Sequence, residues 1–203
     1  MRLLDTRLFN FTICEIFRNK LLLLQSKNQL AEKMIKLIQT NALRFFILFA
    51  IQILIINNIN VFVFGYSTPY LYLMFFLMLP FDINRTVLLL LGFTGGLLID
   101  FSLDCPGVHA SATLIMCFVR PFILKSMSPR QGYDINSQPS IADYGFRWFF
   151  RYAAVCVTIH HVVLFFNLSF TLNYSFFLLV RALLNIVITL VLIILCQYFL
   201  YRK

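Results

Sequence analysis

The sequence predicts an all-α, polytopic membrane protein: a helical bundle of six transmembrane helices, or of five plus one re-entrant segment. Two observations carry this expectation. Of 203 residues, 61% are hydrophobic and 12% charged, with a mean hydropathy of +0.85, against roughly 45–50% apolar and 25% charged in soluble domains. The apolar residues, 24 Phe among them, also fall into several separate runs. A secreted soluble protein would gather them into one amino-terminal signal with a cleavage site.

Each element follows from run length and boundary signals, because an apolar helix needs about 20 residues to cross some 30 Å of hydrocarbon. The first span runs from Arg44 to about Phe64. Its Gln52, Asn57, Asn58 and Asn60 read as interhelical hydrogen-bonding groups or as the outer end of the helix. The second, Pro69 to Phe81, is marginally long enough and needs tilt, re-entry or cover by neighbouring helices. The third runs from Thr86 to about Leu103, and after the turn signal Cys105-Pro106-Gly107 the fourth covers His109 to Leu124. A polar stretch with Pro129, Gly132 and Pro139 leads to the fifth, Phe146 to Phe166, and the sixth, Tyr174 to Leu200. Residues 1–33 carry mixed charge and one short apolar run, Leu21 to Leu24. They read as an amino-terminal extension, either from upstream translation with Met34 as the natural start or as a cytoplasmic amphipathic helix, ahead of a single transmembrane domain over 34–203.

With six helices and a cytoplasmic amino terminus, all but Arg181 of the seventeen Lys and Arg fall on the cytoplasmic side. The outer connections carry none, so both termini are expected in the cytoplasm. A five-helix count would put Arg85 outside or invert the ends. The formal charge of +9 therefore reads as a topology signal rather than a nucleic-acid face, since there is no soluble domain to present one.

The chemistry-bearing residues are few. Gly92, Gly95 and Gly96 form a small-residue helix-packing face, Asp100 ends the third helix, and Pro106-Gly107 makes a turn before His109. Arg181 reads as the basic residue inside a span, where an unpaired charge costs on the order of 2.5–3.5 kcal/mol. Asp100 is its expected ion-pair partner. His160 and His161, being adjacent, lie about 100° apart on a helix and are expected to face different sides, in packing or hydrogen bonding. His109, five residues past Asp104 with Cys105 between, has a spacing too unspecific to predict a metal site. Three cysteines (Cys117, Cys156, Cys196) fall in apolar runs, with Cys105 in an outer loop and Cys14 near the amino terminus, so no disulfide framework follows. No Ser/His/Asp set, paired catalytic carboxylates or HExxH is present. The expectation is a non-enzymatic protein without cofactor.

The order of features resembles the MreD family, rod shape-determining membrane proteins. The pieces that carry the resemblance are a first span with a polar outer end, Pro69 before a short span, and Leu79-Pro80-Phe81-Asp82-Ile83-Asn84-Arg85 as an inner turn. The glycine-rich helix ending in Asp100 and the run Pro106-Gly107-Val108-His109-Ala110 follow. Over residues 34–203 the chain looks like a Bacteroidetes-type member, with Pro129-Arg130-Gln131-Gly132-Tyr133 and Arg147-Trp148-Phe149 as further similar stretches. The resemblance implies a multi-pass scaffold of the bacterial inner membrane in the cell-wall elongation machinery, the elongasome, which governs cell shape and peptidoglycan synthesis. It implies binding to a periplasmic MreC-like protein and, through it, to MreB-like filaments and peptidoglycan synthases. The family is also similar in fold to substrate-binding subunits of energy-coupling-factor transporters. That implies the alternative of a vitamin-type binding subunit with its pocket at the outer mouth around Asp100, His109 and Arg181.

Overall fold

The computed structural model describes residues 25, 27–29, 31, 32, 34–58, 68–134, 137–169 and 175–200. Most of the expected extension 1–33, and Asn60, lie outside them. Among the described residues all regular structure is helical. Five helices are long and apolar enough to cross a membrane: Lys27–Ile56, Arg85–Leu103, Val108–Ser126, Phe146–Ser169 and Leu178–Phe199. The chain is thus consistent with a multi-pass membrane protein.

Two compact units partition the chain, Met1–Leu43 and Arg44–Lys203. In the first, the described residues form one helix that exposes Met34, Ile35 and Ile38. The second holds the bundle. We number the helices α1 (Lys27–Ile56), α2 (Leu73–Leu77), α3 (Arg85–Leu103), α4 (Val108–Ser126), α5 (Ile141–Tyr144), α6 (Phe146–Ser169) and α7 (Ser175–Leu200). Within the bundle α3 packs on α4, α4 on α6 and α6 on α7.

Helix α1 closes in a π-helical stretch, Ile51–Ile56, in which the Asn57 amide reaches back to the Gln52 carbonyl at 2.8 Å. One face carries Phe45 and Phe49, stacked at 4.3 Å, and the buried Gln52. Helix α3 starts on an Asn84 cap, whose side chain accepts the Thr86 amide at 2.9 Å. Its buried positions Leu88, Gly92, Gly95, Gly96, Ile99 and Asp100 recur at helical spacing and so share one face. Gly96 lets α4 come close: a Cβ there would lie 2.7 Å from both the Ala110 nitrogen and the His109 carbonyl. At Gly92 it would meet Cys117 of α4, and at Gly95 the rings of Phe76 and Phe49.

The segment between α1 and α3 is the unusual element. Every residue from Tyr70 to Leu79 is buried, yet only Leu73–Leu77 is α-helical. At its start the Tyr70 ring stands 5.1 Å from His109, in the first turn of α4. Near its end the Leu79 carbonyl accepts from Arg120, deep in the second half of α4. Phe81 then stacks on Tyr133 at 4.0 Å, in an aromatic cluster with Tyr144 and Trp148. That cluster also closes the end of α4, because Tyr133 and Trp148 donate to the Leu124 and Met127 carbonyls at 2.7 and 3.2 Å.

A backbone that leaves the helix inside an apolar interior must find partners for its amides and carbonyls. Polar side chains from four helices supply them. Gln52 of α1 accepts from the Leu71 amide at 2.7 Å and donates to the Pro69 carbonyl at 3.1 Å. Thr189 of α7 accepts from the Tyr70 amide at 3.1 Å. The Tyr152 hydroxyl of α6 donates to the Leu77 carbonyl at 3.0 Å and accepts from Arg120 Nε at 2.8 Å. Gln197 of α7 reaches Met78 Sδ at 2.7 Å.

Candidate functional site

The stretch from Asp100 to Ala110 folds into the corner that joins α3 to α4. The chain leaves α3 through Asp104, in the left-handed region at φ 51°, and enters α4 through Gly107 at φ 87°. A left-handed residue costs little when it is glycine, which explains Gly107 at the turn after Pro106. The two left-handed residues turn the start of α4 back onto the last turn of α3. There Asp100 meets the free amides of a helix amino terminus, which favour a carboxylate.

Asp100 is 2% exposed and its two oxygens are taken up locally. Oδ2 accepts from the Gly107 and Ala110 amides, both at 3.0 Å. Oδ1 accepts from the His109 amide at 2.8 Å and from His109 Nδ1 at 3.0 Å. The Cys105 thiol also turns onto Oδ1 at 3.6 Å and lies 3.4 Å from His109 Nδ1. Burial, and then the negative charge of Asp100, push the Cys105 thiol up to about 11.

Around this corner lies a ring of imidazoles. The Tyr70 ring has His109 at 5.1 Å, His161 at 5.4 Å and His160 at 5.9 Å. Each histidine has one nitrogen engaged: His109 Nδ1 with Asp100, His161 Nδ1 with the Val157 carbonyl at 2.8 Å, and His160 Nε2 with the Tyr72 hydroxyl at 2.8 Å. Tyr72 continues to Thr113 at 3.1 Å. The other nitrogens, His109 Nε2, His160 Nδ1 and His161 Nε2, are buried without a hydrogen-bond partner.

Three expectations change. Asp100 is held locally rather than by Arg181: its hydrogen-bond partners lie between Cys105 and Ala110, the His109 ring among them. The physical reason is local supply, because the first turn of α4 already saturates the carboxylate. His160 and His161 do hydrogen-bond, to the Tyr72 hydroxyl and the Val157 carbonyl, but both are fully buried and both rings border Tyr70. Segment Tyr70–Leu79 packs inside the bundle, so two adjacent positions of α6 are covered at once. Arg181 is also not alone as a basic residue inside a span. Arg120 lies within α4, 1% exposed, one residue before Pro121. The signal was present in the sequence, as a charge inside an apolar run.

Gln52 and Asn57 do act between elements, Asn57 donating to the Ser102 hydroxyl at 2.9 Å. A shallow groove of about 50 Å³ lies toward the other end of α3, lined by Arg85, Leu88, Cys117, Phe118 and Phe122.

Comparison with protein-family models, curated proteins and solved structures finds no match for this chain.

Proposed function

We propose that this chain is a non-enzymatic membrane scaffold of the MreD type, a subunit of the cell-wall elongation complex of the bacterial inner membrane. On this reading it crosses the membrane six times, with both termini in the cytoplasm. The sixth crossing is the buried segment Tyr70–Leu79, which runs from the first turn of α4 to beyond Arg120. Cationic residues agree with that count, since the connections at the Asp100 end carry no Lys or Arg.

The observation that carries the scaffold reading is the use of the interior. The interior between the helices is filled by the buried segment Tyr70–Leu79, and the Asp100 carboxylate caps its own turn. Apolar surface points outward instead. Leu179, Leu183, Val187, Val191 and Leu195 form an exposed stripe at four-residue spacing along α7, suited to lipid or to a partner in the membrane. The partners of the reading are an MreC-like periplasmic protein and, through it, MreB-like filaments and peptidoglycan synthases.

Depletion of the protein in its own cells tests this. Rounded, swollen cells with mislocalised wall synthesis are expected, together with co-purification of an MreC-like protein. Unchanged shape with a new vitamin requirement would overturn the scaffold in favour of a small-molecule binding subunit.

A further inference from the structure

We propose that Asp100, Cys105 and His109 form a binding site for a divalent transition-metal ion of the zinc class, at the corner between α3 and α4. The inference concerns the isolated protein and holds or fails independently of the scaffold reading.

The first argument is geometric. Asp100 Oδ1, Cys105 Sγ and His109 Nδ1 all lie within 4.8 Å of one another, with separations of 3.0, 3.4 and 3.6 Å. A tetrahedral zinc ion holds sulfur at about 2.3 Å and nitrogen or oxygen at about 2.0–2.2 Å, so its ligand atoms stand roughly 3.3–3.7 Å apart. The three donors therefore stand close to one face of such a tetrahedron. They come from three pieces of chain, the last turn of α3, the turn itself and the first turn of α4, and the fold gathers them without rearrangement.

Capping explains only part of this arrangement. Asp100 caps α4 through the amides of Gly107, His109 and Ala110, and those bonds need neither a thiol nor an imidazole. Both side chains nevertheless converge on the same carboxylate oxygen. Thiolate, imidazole and carboxylate together suit zinc-class ions, whereas magnesium and calcium prefer oxygen ligands throughout.

Charge and protons complete the argument. A doubly charged cation with one thiolate, one carboxylate and one neutral imidazole is net neutral, the form least costly at the edge of a low-dielectric bundle. Binding expels the thiol proton to solvent, one per ion, and moves the imidazole hydrogen from Nδ1 to Nε2. No electron is transferred. Nε2 is the nitrogen that is buried and unpartnered while Nδ1 serves Asp100. A T-shaped contact, such as the one His109 makes with Tyr70, is an arrangement in which an N–H can meet a ring face. Cys105 is half-buried while Asp100 and His109 are buried, so the site opens on the thiol side, where a fourth ligand can enter.

The experiment uses the full chain, purified in detergent, stripped with chelator and titrated with Co²⁺ and then Zn²⁺. We expect about one ion per chain, a thiolate-to-cobalt charge-transfer absorption that Zn²⁺ abolishes, and at least a tenfold slowing of Cys105 alkylation by Zn²⁺. Cys105→Ala, which leaves the Asp100 cap intact, should lose the absorption, and His109→Gln should weaken ion binding at least tenfold. A stripped wild-type chain that gives no charge-transfer band with excess Co²⁺ overturns the proposal. So does a band that survives Cys105→Ala, which would assign it to another cysteine. Unchanged affinity in His109→Gln overturns the three-donor site, and because that variant keeps Cys105 the band itself reports whether the chain is folded.

Discussion

Two regions of this protein solve the same problem in opposite ways. At the α3–α4 corner, a buried carboxylate meets amides within ten residues of itself, so the polar groups of one short stretch satisfy one another. In segment Tyr70–Leu79, backbone groups outside the short helix or at its last residue are satisfied by Gln52, Arg120, Tyr152 and Thr189, which arrive from four other helices. The first is a local device that any copy of the stretch could form. The second exists only when the bundle is assembled. Failure at the corner should therefore be graded, and failure in the segment should be cooperative.

The largest effect expected is at Gln52. Replacing it with Leu strips partners from the Leu71 amide and the Pro69 carbonyl inside the bundle, at about 1–3 kcal/mol each. Unfolding in a denaturing detergent titration should show a loss of roughly 3 kcal/mol or more. A loss under about 1 kcal/mol would mean that the segment does not depend on its side-chain partners. Next comes Gly96→Val, which drives side-chain atoms into the α4 backbone and should cost roughly 2–3 kcal/mol in the same titration. Arg120→Lys keeps the charge but loses the fork that joins the Leu79 carbonyl to Tyr152. It should cost about 1–2 kcal/mol, less than the Gln52 change.

At the corner the changes are smaller. Asp100→Asn keeps an acceptor for the α4 amides and should cost about 1 kcal/mol. Because Asp100 is held by its own turn, Arg181→Leu combined with Asp100→Asn should be additive within about 0.5 kcal/mol. A larger coupling would restore an Asp100–Arg181 interaction. The mildest test is chemical. With its thiol pushed up to about 11, Cys105 in the metal-free protein should alkylate slowly at pH 8 and accelerate steadily toward pH 11. Since the negative charge of Asp100 contributes to that shift, Asp100→Asn should speed the reaction at pH 8. An unchanged rate would remove the carboxylate from the account.

The same contrast decides how much was legible in the sequence. The long apolar helices were readable because each carries its signal within one run, and so was the turn at Pro106-Gly107. The glycine face could be read because Gly92, Gly95 and Gly96 share a helical side. Asp100 as a cap was also within reach, since its partners follow it by seven to ten residues. Segment Tyr70–Leu79 could be recognised as short but not as bonded, because Thr189 lies 119 residues from Tyr70 and Tyr152 lies 75 from Leu77. Arg120 looked like one more inward charge for the same reason: its partner, Leu79, is 41 residues away. Pairing Asp100 with Arg181 rested on two buried charges needing each other, and a nearer set of dipoles met that need first.

The dependence of Tyr70–Leu79 on later helices also constrains biogenesis. Its residues leave the ribosome well before Thr189 and Gln197 of α7 have been made, yet both are needed to cover it. Its helix, Leu73–Leu77, is far below the length that spans a bilayer, so the segment depends on cover from neighbouring helices. A nascent chain cut before α7 would therefore leave the Tyr70 amide without its Thr189 partner, a mark by which membrane quality control could recognise an unfinished molecule.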